Sequence, residues 1–282
     1  MTEKSILITG CSSGIGLCLA RGLQKKGYRV FASVRSAEDI KPLQEAGLES
    51  LQLDLDSSES IKSALSGILE KTNGRLFALI NNGAYGQPGA VEDLSRDVLR
   101  HQFETNVFGT QELTNLVLPV MRKQNDGRII QISSLLGFVS LAYRGAYNAS
   151  KYALEGLSDT LRLELRGTNI YISLVQPGPI VSRFRSNAYA AYKKNINPEL
   201  SAHKEFYLAM QARLEGKKGK MPFTLPPESV LKRVTHALES PKPKIRYSVT
   251  FPTYFFQALK RLFSDRWLDK VLFLVGDDAR RK

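Results

Sequence analysis

Short apolar runs alternate along the chain with longer stretches in which apolar residues recur every three to four positions. Ser5-Ile6-Leu7-Ile8 is a compact, β-branched-rich run and reads as a buried strand. The strand-like runs fall at 5–9, 28–34, 49–54, 76–81, 127–133 and 170–176. Helical periodicity fills the gaps at about 14–26, 57–72, 94–124 and 146–167. Single strands separated by helices predict a parallel sheet with right-handed crossovers, an α/β fold. No repeat, low-complexity tract or Gly/Ser linker interrupts the pattern, and 282 residues suffice for one large domain with a well-buried core.

The first strand runs into Thr9-Gly10-Cys11-Ser12-Ser13-Gly14-Ile15-Gly16, and a helical pattern follows from Leu17 to Leu23. Strand, glycine-rich turn and helix form a phosphate cradle. Glycines let backbone approach a pyrophosphate, and the helix start offers free N–H groups with a partial positive charge. The spacing differs from the commoner Gly-x-Gly-x-x-Gly fingerprint. A second constellation stands further on. Tyr147 and Lys151 are four residues apart, one helical face, and Ser134 lies thirteen residues before Tyr147. A tyrosine with an ordinary pKa near 10 is a poor acid or base at neutral pH, and a neighbouring ammonium favours its phenolate. Tyr-x-x-x-Lys alone is common in helices. Its company gives it meaning.

The chain resembles the short-chain dehydrogenases/reductases over about 185 residues from its start. Thr9-Gly10 through Gly16 is similar to that family's cofactor turn. Asn81-Asn82-Gly83-Ala84 stands where the family has Asn-Asn-Ala-Gly, Asn106 where it has a helix asparagine, and Ser133-Ser134 on its catalytic-serine strand, the second serine being the active one by spacing. Pro177-Gly178-Pro179-Ile180 is similar to the loop that closes over the nicotinamide. Within the family, Cys11 to Gly16 and Lys242 to Tyr247 resemble bacterial NADP-dependent aldehyde reductases and the retinol and 17β-hydroxysteroid dehydrogenase group. The resemblance implies a Rossmann-type doubly wound parallel sheet, and oligomerisation as a dimer or tetramer through the helices at about 94–124 and 146–167. Two departures stand out. Gly83-Ala84 inverts the usual order, which predicts a shifted backbone because alanine tolerates positive φ worse than glycine. Ser182 replaces a threonine whose hydroxyl chemistry it keeps.

NAD-binding proteins of this fold end the second strand on an acidic residue that bonds the ribose 2′-hydroxyl. Here that position holds Val34, followed by Arg35, which suits a 2′-phosphate by charge and forked donors. Ser12 adds a hydroxyl. The cofactor expected is NADP. The resemblance implies that Asp54 and Leu55 hold its adenine, that Asn82 lines the adenosine ribose, and that Ser13, Gly14, Ile15, Gly83, Ala84, Pro177, Gly178, Ile180 and Ser182 surround the rest. Ser134 would then polarise a carbonyl and Tyr147 donate the proton. Lys151 would hold the Tyr147 pKa low and bond the ribose. Asn106 would anchor a water behind Lys151; the alternative is an ordinary helix-bending polar residue. No metal site is expected, because His101, His203 and His236 lack ligand spacing.

Charge divides the chain unevenly. Residues 183–282 hold 21 Lys and Arg against 9 Asp and Glu, whereas residues 1–182 hold 19 against 18, so nearly all of the net +13 lies late. Three readings stay open: a solvated helical surface, contact with an anionic membrane surface, and nucleic acid, the last on charge alone. From Tyr254 to Val275, Phe255, Phe256, Leu259, Leu262, Phe263, Trp267, Leu268 and Leu272 alternate with Lys260, Arg261, Arg266 and Lys270. That pattern fits an interfacial helix, or one packing on the main domain or a partner subunit. Residues 182–225 read as a mobile, mostly helical substrate lid. Its aromatics, with Leu135, Leu136, Phe138, Val139, Leu141 and Tyr143, argue for an apolar substrate. Two cysteines, Cys11 and Cys18, and the lack of an apolar leader predict reduced thiols in a cytoplasmic protein, with peripheral contact at the inner face of a membrane under the second charge reading. No run approaches the roughly 18 apolar residues of a spanning helix.

Together these features predict a single catalytic domain over 1–250 and a basic amphipathic extension over 251–282. The expected activity is NADP-dependent hydride transfer with an aldehyde, retinoid or steroid-like carbonyl or alcohol. Two rival classes are an NADP-binding redox sensor and a membrane-associated binding protein retaining the fold.

Overall fold

The computed structural model describes residues 4–215 and 222–276. Strand β1 (Ser5–Ile8) leads into helix α1 (Gly14–Gln24), β2 (Arg29–Val34), the short α2 (Ile40–Glu45) and β3 (Glu49–Gln52). Ser57 caps α3 (Ser58–Lys71) by accepting from the Ser60 N–H at 3.2 Å, which satisfies one of the free donors of a helix start. Next come β4 (Ala78–Asn81), α4 (Arg96–Phe103) and α5 (Thr110–Gln124), the last ending on Asn125 in the left-handed conformation that closes helices. β5 (Gly127–Ile132), α6 (Gly145–Glu164) and β6 (Ile170–Gln176) complete the part read directly from periodicity.

The strands form one parallel sheet in the order β3-β2-β1-β4-β5-β6, extended at its far edge by β7 (Arg246–Ser248). Alternation along β1 fixes the layers, since successive strand side chains point to opposite faces. Ile6 and Ile8 pack with Leu19 and Leu23 of α1 on one face, and Leu7 with Ile61, Leu113 and Val117 of α3 and α5 on the other. The order reverses between β1 and β4. At such a switch point a crevice opens beyond the carboxyl ends of the strands.

Three features differ from the periodicity. The stretch 94–124 is helical from Arg96 to Gln124 but not uniformly α: a π-helical turn, Glu104–Gly109, lies between α4 and α5. The loop after β3 presses on it, and a Cβ on Gly109 would lie 1.8 Å from the Leu55 carbonyl oxygen. β7 has three residues inside a charged run and gives no alternating signal; it pairs because β6 offers an edge. The lid contains α7 (Phe184–Asn195) and α8 (Lys204–Glu215), and its residues 216–221 lie outside the described residues. It is pinned: the Tyr207 hydroxyl donates to Asp93 at 2.6 Å and accepts from the Ala90 N–H at 2.7 Å, while Asn195 donates to Gln87 at 2.7 Å. Tyr192 and Tyr207 are core side chains.

After α9 (Glu228–Glu239) and β7, the C-terminal segment forms α10 (Phe251–Leu262) and α11 (Asp265–Gly276); residues 277–282 of the predicted extension lie outside the described residues. Phe256, Leu268 and Leu272 pack on Leu135, Leu136 and Val139, so one face of this pair covers the turn after β5. No helix among the described residues is long and apolar enough to cross a membrane.

Candidate active site

The glycine turn is shaped by contacts that leave no room for side chains. A Cβ on Gly16 would lie 2.2 Å from the Gly10 carbonyl oxygen, and one on Gly10, itself at φ +71°, 2.8 Å from the Gly83 Cα. The β1 and β4 loops thus touch backbone to backbone. Thr9 locks them: its hydroxyl accepts from the Asn82 and Gly83 N–H groups at 2.9 and 2.8 Å, and the Asn82 side-chain amide donates to the Thr9 and Gly10 carbonyls. Glycine at position 83 is explained by this close approach, and Ala84 does not adopt positive φ, so the inverted order brings no backbone strain. Ser182 closes over the turn, its Cβ 2.9 Å from where a Cβ on Gly14 would stand.

Ser133 and Ser134 continue β5, and the Ser134 hydroxyl accepts from the Leu136 N–H at 3.1 Å, fixing the turn that follows. Tyr147 lies in the first turn of α6 and Lys151 in the next, with the ammonium 5.8 Å from the Tyr147 ring centroid. The Lys151 Nζ donates to the Ile132 carbonyl at 2.8 Å. Burial pushes Tyr147 up to about 12, against which the neighbouring Ser134 hydroxyl acts. Burial also pulls Lys151 down to about 8, opposed by the Glu155 charge. This corrects the expectation of an acidified tyrosine: removing solvent disfavours the phenolate and the ammonium alike, and outweighs their neighbours.

A cavity of about 830 Å³ joins these groups. Gly10, Ser12, Ser13, Gly14 and Ile15 line one end with Asn82, Gly83 and Ala84; Ser134, Tyr147 and Lys151 form the middle; Pro177, Gly178, Ile180 and Ser182 lie along the loop above. Gly16 sits beneath the turn. Arg35, Asp54 and Leu55 lie outside the cavity, beyond the β2 and β3 ends: Arg35 is exposed, Asp54 accepts from the Asp56 N–H at 3.1 Å, and Leu55 packs on Gly83. Asn106 does not reach the cavity. It is buried in the π-helical turn, accepting from the Tyr85 N–H at 3.1 Å and donating to the Tyr85 carbonyl and the Ser150 hydroxyl at 2.9 and 3.0 Å, so its side chain braces the residue before Lys151.

The far end of the cavity is apolar. Phe184 meets the Tyr147 ring edge-on at 5.2 Å between centroids, and Tyr189, Phe206, Met210 and Phe223 line the wall from the lid. Phe251 and Phe255 of α10 also line it. The sequence reading gave those two to the extension alone; their aromatic spacing was visible, but not what they face. Glu155 follows Lys151 by the same four-residue step that joins Lys151 to Tyr147, a spacing that marks it as a neighbour of the site.

The cradle fits a dinucleotide. Its glycines leave space at the start of α1, the Ser13 side chain makes no cap bond there, and the first turn carries no acidic residue to repel a phosphate. Comparison with known proteins agrees. The family profile described as short chain dehydrogenase matches residues 4–193. The chain is 41% identical over 272 residues to the uncharacterized oxidoreductase YbbO of Escherichia coli strain K12, covering 96% of this chain and 94% of that protein. It is 36% identical over 258 residues to human retinol dehydrogenase 8, covering 86% and 80%. Among solved structures, an actinorhodin polyketide ketoreductase with NADPH superposes with a TM-score of 0.71 at 28% identity, over 88% of this chain and 95% of that one. A glycine cradle, a serine strand and a Tyr-Lys helix in this order and this sheet leave one conclusion: the chain is an oxidoreductase of the short-chain dehydrogenase family.

Proposed function

We propose that the protein is an NADP-dependent oxidoreductase acting on an apolar carbonyl or alcohol. The observation that carries this is the single cavity on which Ser134, Tyr147 and Lys151 converge, with a phosphate cradle at one end and aromatic side chains at the other. The Gly10–Gly16 turn, the Asn82–Ala84 loop and the Pro177–Ser182 segment would hold the cofactor, which would supply or accept the hydride when bound. In the reducing direction the Ser134 hydroxyl donates to the carbonyl oxygen and orients it. As that oxygen gains negative charge, Tyr147 transfers its phenolic proton to it, and the alcohol forms. The phenolate left behind faces the Lys151 ammonium until solvent returns a proton. Alcohol oxidation is the reverse path, with the phenolate as base. Asn106 keeps α6 aligned through Ser150.

Arg35 at the end of β2, where a carboxylate would serve NAD, supports NADP. Asp54 and Leu55 flank the adenine in this reading. The apolar end supports aliphatic or aromatic aldehydes, retinoids or steroid-like carbonyls over sugars. The reading extends to a cytoplasmic protein with peripheral membrane contact through α10 and α11, which expose Leu262, Phe263 and Trp267 beside Arg261, Arg266 and Lys270. Exposed Phe108 of the π-helical turn and Leu163 of α6 support self-association through the helices at about 94–124 and 146–167.

The test is oxidation of NADPH and NADH against medium-chain, aromatic and retinoid aldehydes and ketosteroids, beside Tyr147→Phe. Turnover with NADPH that falls by about 10²- to 10⁴-fold in the variant is expected. A preference for NADH would refute the Arg35 argument. No turnover while NADPH still binds would favour the redox-sensor class.

A further inference from the structure

Glu155 sits on α6 one turn beyond Lys151 and is only 6% exposed. A buried carboxylate costs several kcal/mol unless paired, so its partners are informative. Its Oε1 accepts from the Ser133 hydroxyl at 2.6 Å and from the Gln176 side-chain amide at 2.8 Å, and its Oε2 accepts from the Arg246 Nε at 3.0 Å. Gln176 in turn accepts from Gln257 at 2.7 Å, and Gln257 from the Ser248 hydroxyl at 2.8 Å. One carboxylate therefore gathers the ends of β5 and β6, the edge strand β7 and helix α10.

The consequence for the reaction lies in three consecutive residues that all border the cavity. Ile132 is held through its carbonyl by Lys151, Ser133 through its hydroxyl by Glu155, and Ser134, the least buried of the three, follows them. The packing is tight: a Cβ on Gly137 would lie 2.6 Å from the Ser133 hydroxyl oxygen and 3.1 Å from Glu155.

We propose that Glu155 is a positioning residue of the hydride-transfer site: through Ser133 it fixes the strand end that carries Ser134. The proposal rests on the oxidoreductase reading above. The charged groups facing Glu155 are Lys151 and Asp159 on its own helix and Arg246 from β7; the other partners, Ser133, Gln176 and Gln257, are neutral. Removing the Glu155 charge leaves burial unopposed at Lys151, with the Arg246 cation nearby, so the ammonium is lost at lower pH.

The experiment uses full-length protein carrying Glu155→Gln, Glu155→Asp or Ser133→Ala. Three quantities are read: kcat and KM with NADPH and the best carbonyl, NADPH affinity, and Lys151 titration by NMR on 13C-lysine-labelled protein, assigned through Lys151→Met. Glu155→Gln is expected to lower kcat by roughly 10- to 100-fold, as small misplacements of a reacting group do. KM and NADPH affinity stay nearly unchanged, and the Lys151 midpoint moves down by about one pH unit. Glu155→Asp restores the charge on a shorter arm, and recovers the Lys151 midpoint but not kcat. Ser133→Ala keeps the charge and removes the hydroxyl, so it lowers kcat without moving the midpoint, and it carries the test if Glu155→Gln fails to fold. An unchanged kcat in Ser133→Ala overturns the positioning role, and an unchanged midpoint in both Glu155 variants overturns the electrostatic one. Absence of turnover in the wild type counts against the proposed NADP-dependent carbonyl activity, while the NMR arm still decides whether Glu155 governs Lys151.

Discussion

At the cofactor end of the cavity, backbone touches backbone: Gly10 meets Gly83, and Gly16 meets the Gly10 carbonyl. At the substrate end, rings touch rings: Phe223 lies 5.0 Å from Phe251 between centroids, and Phe251 5.9 Å from Phe255. The first kind of contact admits no added atom and accepts only glycine. The second is a matter of area and shape, and an aliphatic side chain can replace a ring at modest cost. The two ends therefore differ in tolerance: cofactor recognition is fixed by sterics at single positions, whereas substrate recognition is spread over many.

Substitutions can break this contrast, beginning with the strongest. Gly16→Ala places a Cβ against a carbonyl that cannot move without displacing β1. It should destabilise the protein by about 1–3 kcal/mol and abolish measurable NADPH binding, read by thermal unfolding and nicotinamide fluorescence. Arg35→Ala leaves the turn intact and removes one charged partner, for which about 1.5–3 kcal/mol is typical. NADPH affinity should fall about 10- to 100-fold while NADH affinity stays constant, and equal losses for both would remove Arg35 from the phosphate site. Phe255→Leu, at the other end, should change KM for an apolar carbonyl by about tenfold at most, with kcat preserved.

A fourth effect is read by pH. Lys151 titrates near 8 in the folded protein against an ordinary 10.5, so the unfolded chain binds the extra proton between those values. The cost of burying its ammonium is fully present below about pH 8 and is relieved as pH rises toward 10.5, so this group's contribution to stability climbs with pH across that window. Chemical denaturation of wild type against Lys151→Met should show the climb in the wild type alone. The smallest effect concerns the outer face of α10 and α11. Phe263 and Trp267 are 50% and 59% exposed. Replacing both with serine should change stability by less than about 0.5 kcal/mol per site and reduce sedimentation with phosphatidylserine vesicles; unchanged sedimentation would argue against lipid contact.

What the sequence disclosed, and what it hid, follows from range. The strand-turn-helix at the start and the Tyr147–Lys151 step are local, and their geometry is set by residues a few positions apart. The π-helical turn at 104–109 depends on the Leu55 carbonyl, some fifty residues earlier, so its periodicity looks like plain helix. β7 becomes a strand only because β6 leaves an edge to pair with. Among the lid aromatics, spacing could not separate Tyr192 and Tyr207, which are core, from Phe184 and Phe206, which face the cavity. Tyr147 acidity went the other way for a related reason: the lysine was visible four residues on, but the walls that exclude solvent come from elsewhere in the chain.

The bond between Glu155 and Arg246 spans 91 residues, and synthesis gives that distance a direction. A ribosome delivers Glu155 long before the arginine that pairs with it. During that interval the carboxylate can meet Ser133, Gln176 and the Lys151 charge, but not the cation from β7. The hydride site is thus completed by one of the last strands to be translated. A chain terminated early, before Arg246, would hold every motif by which the family is known and lack the cation that ties the carboxylate behind Ser133 to the sheet edge.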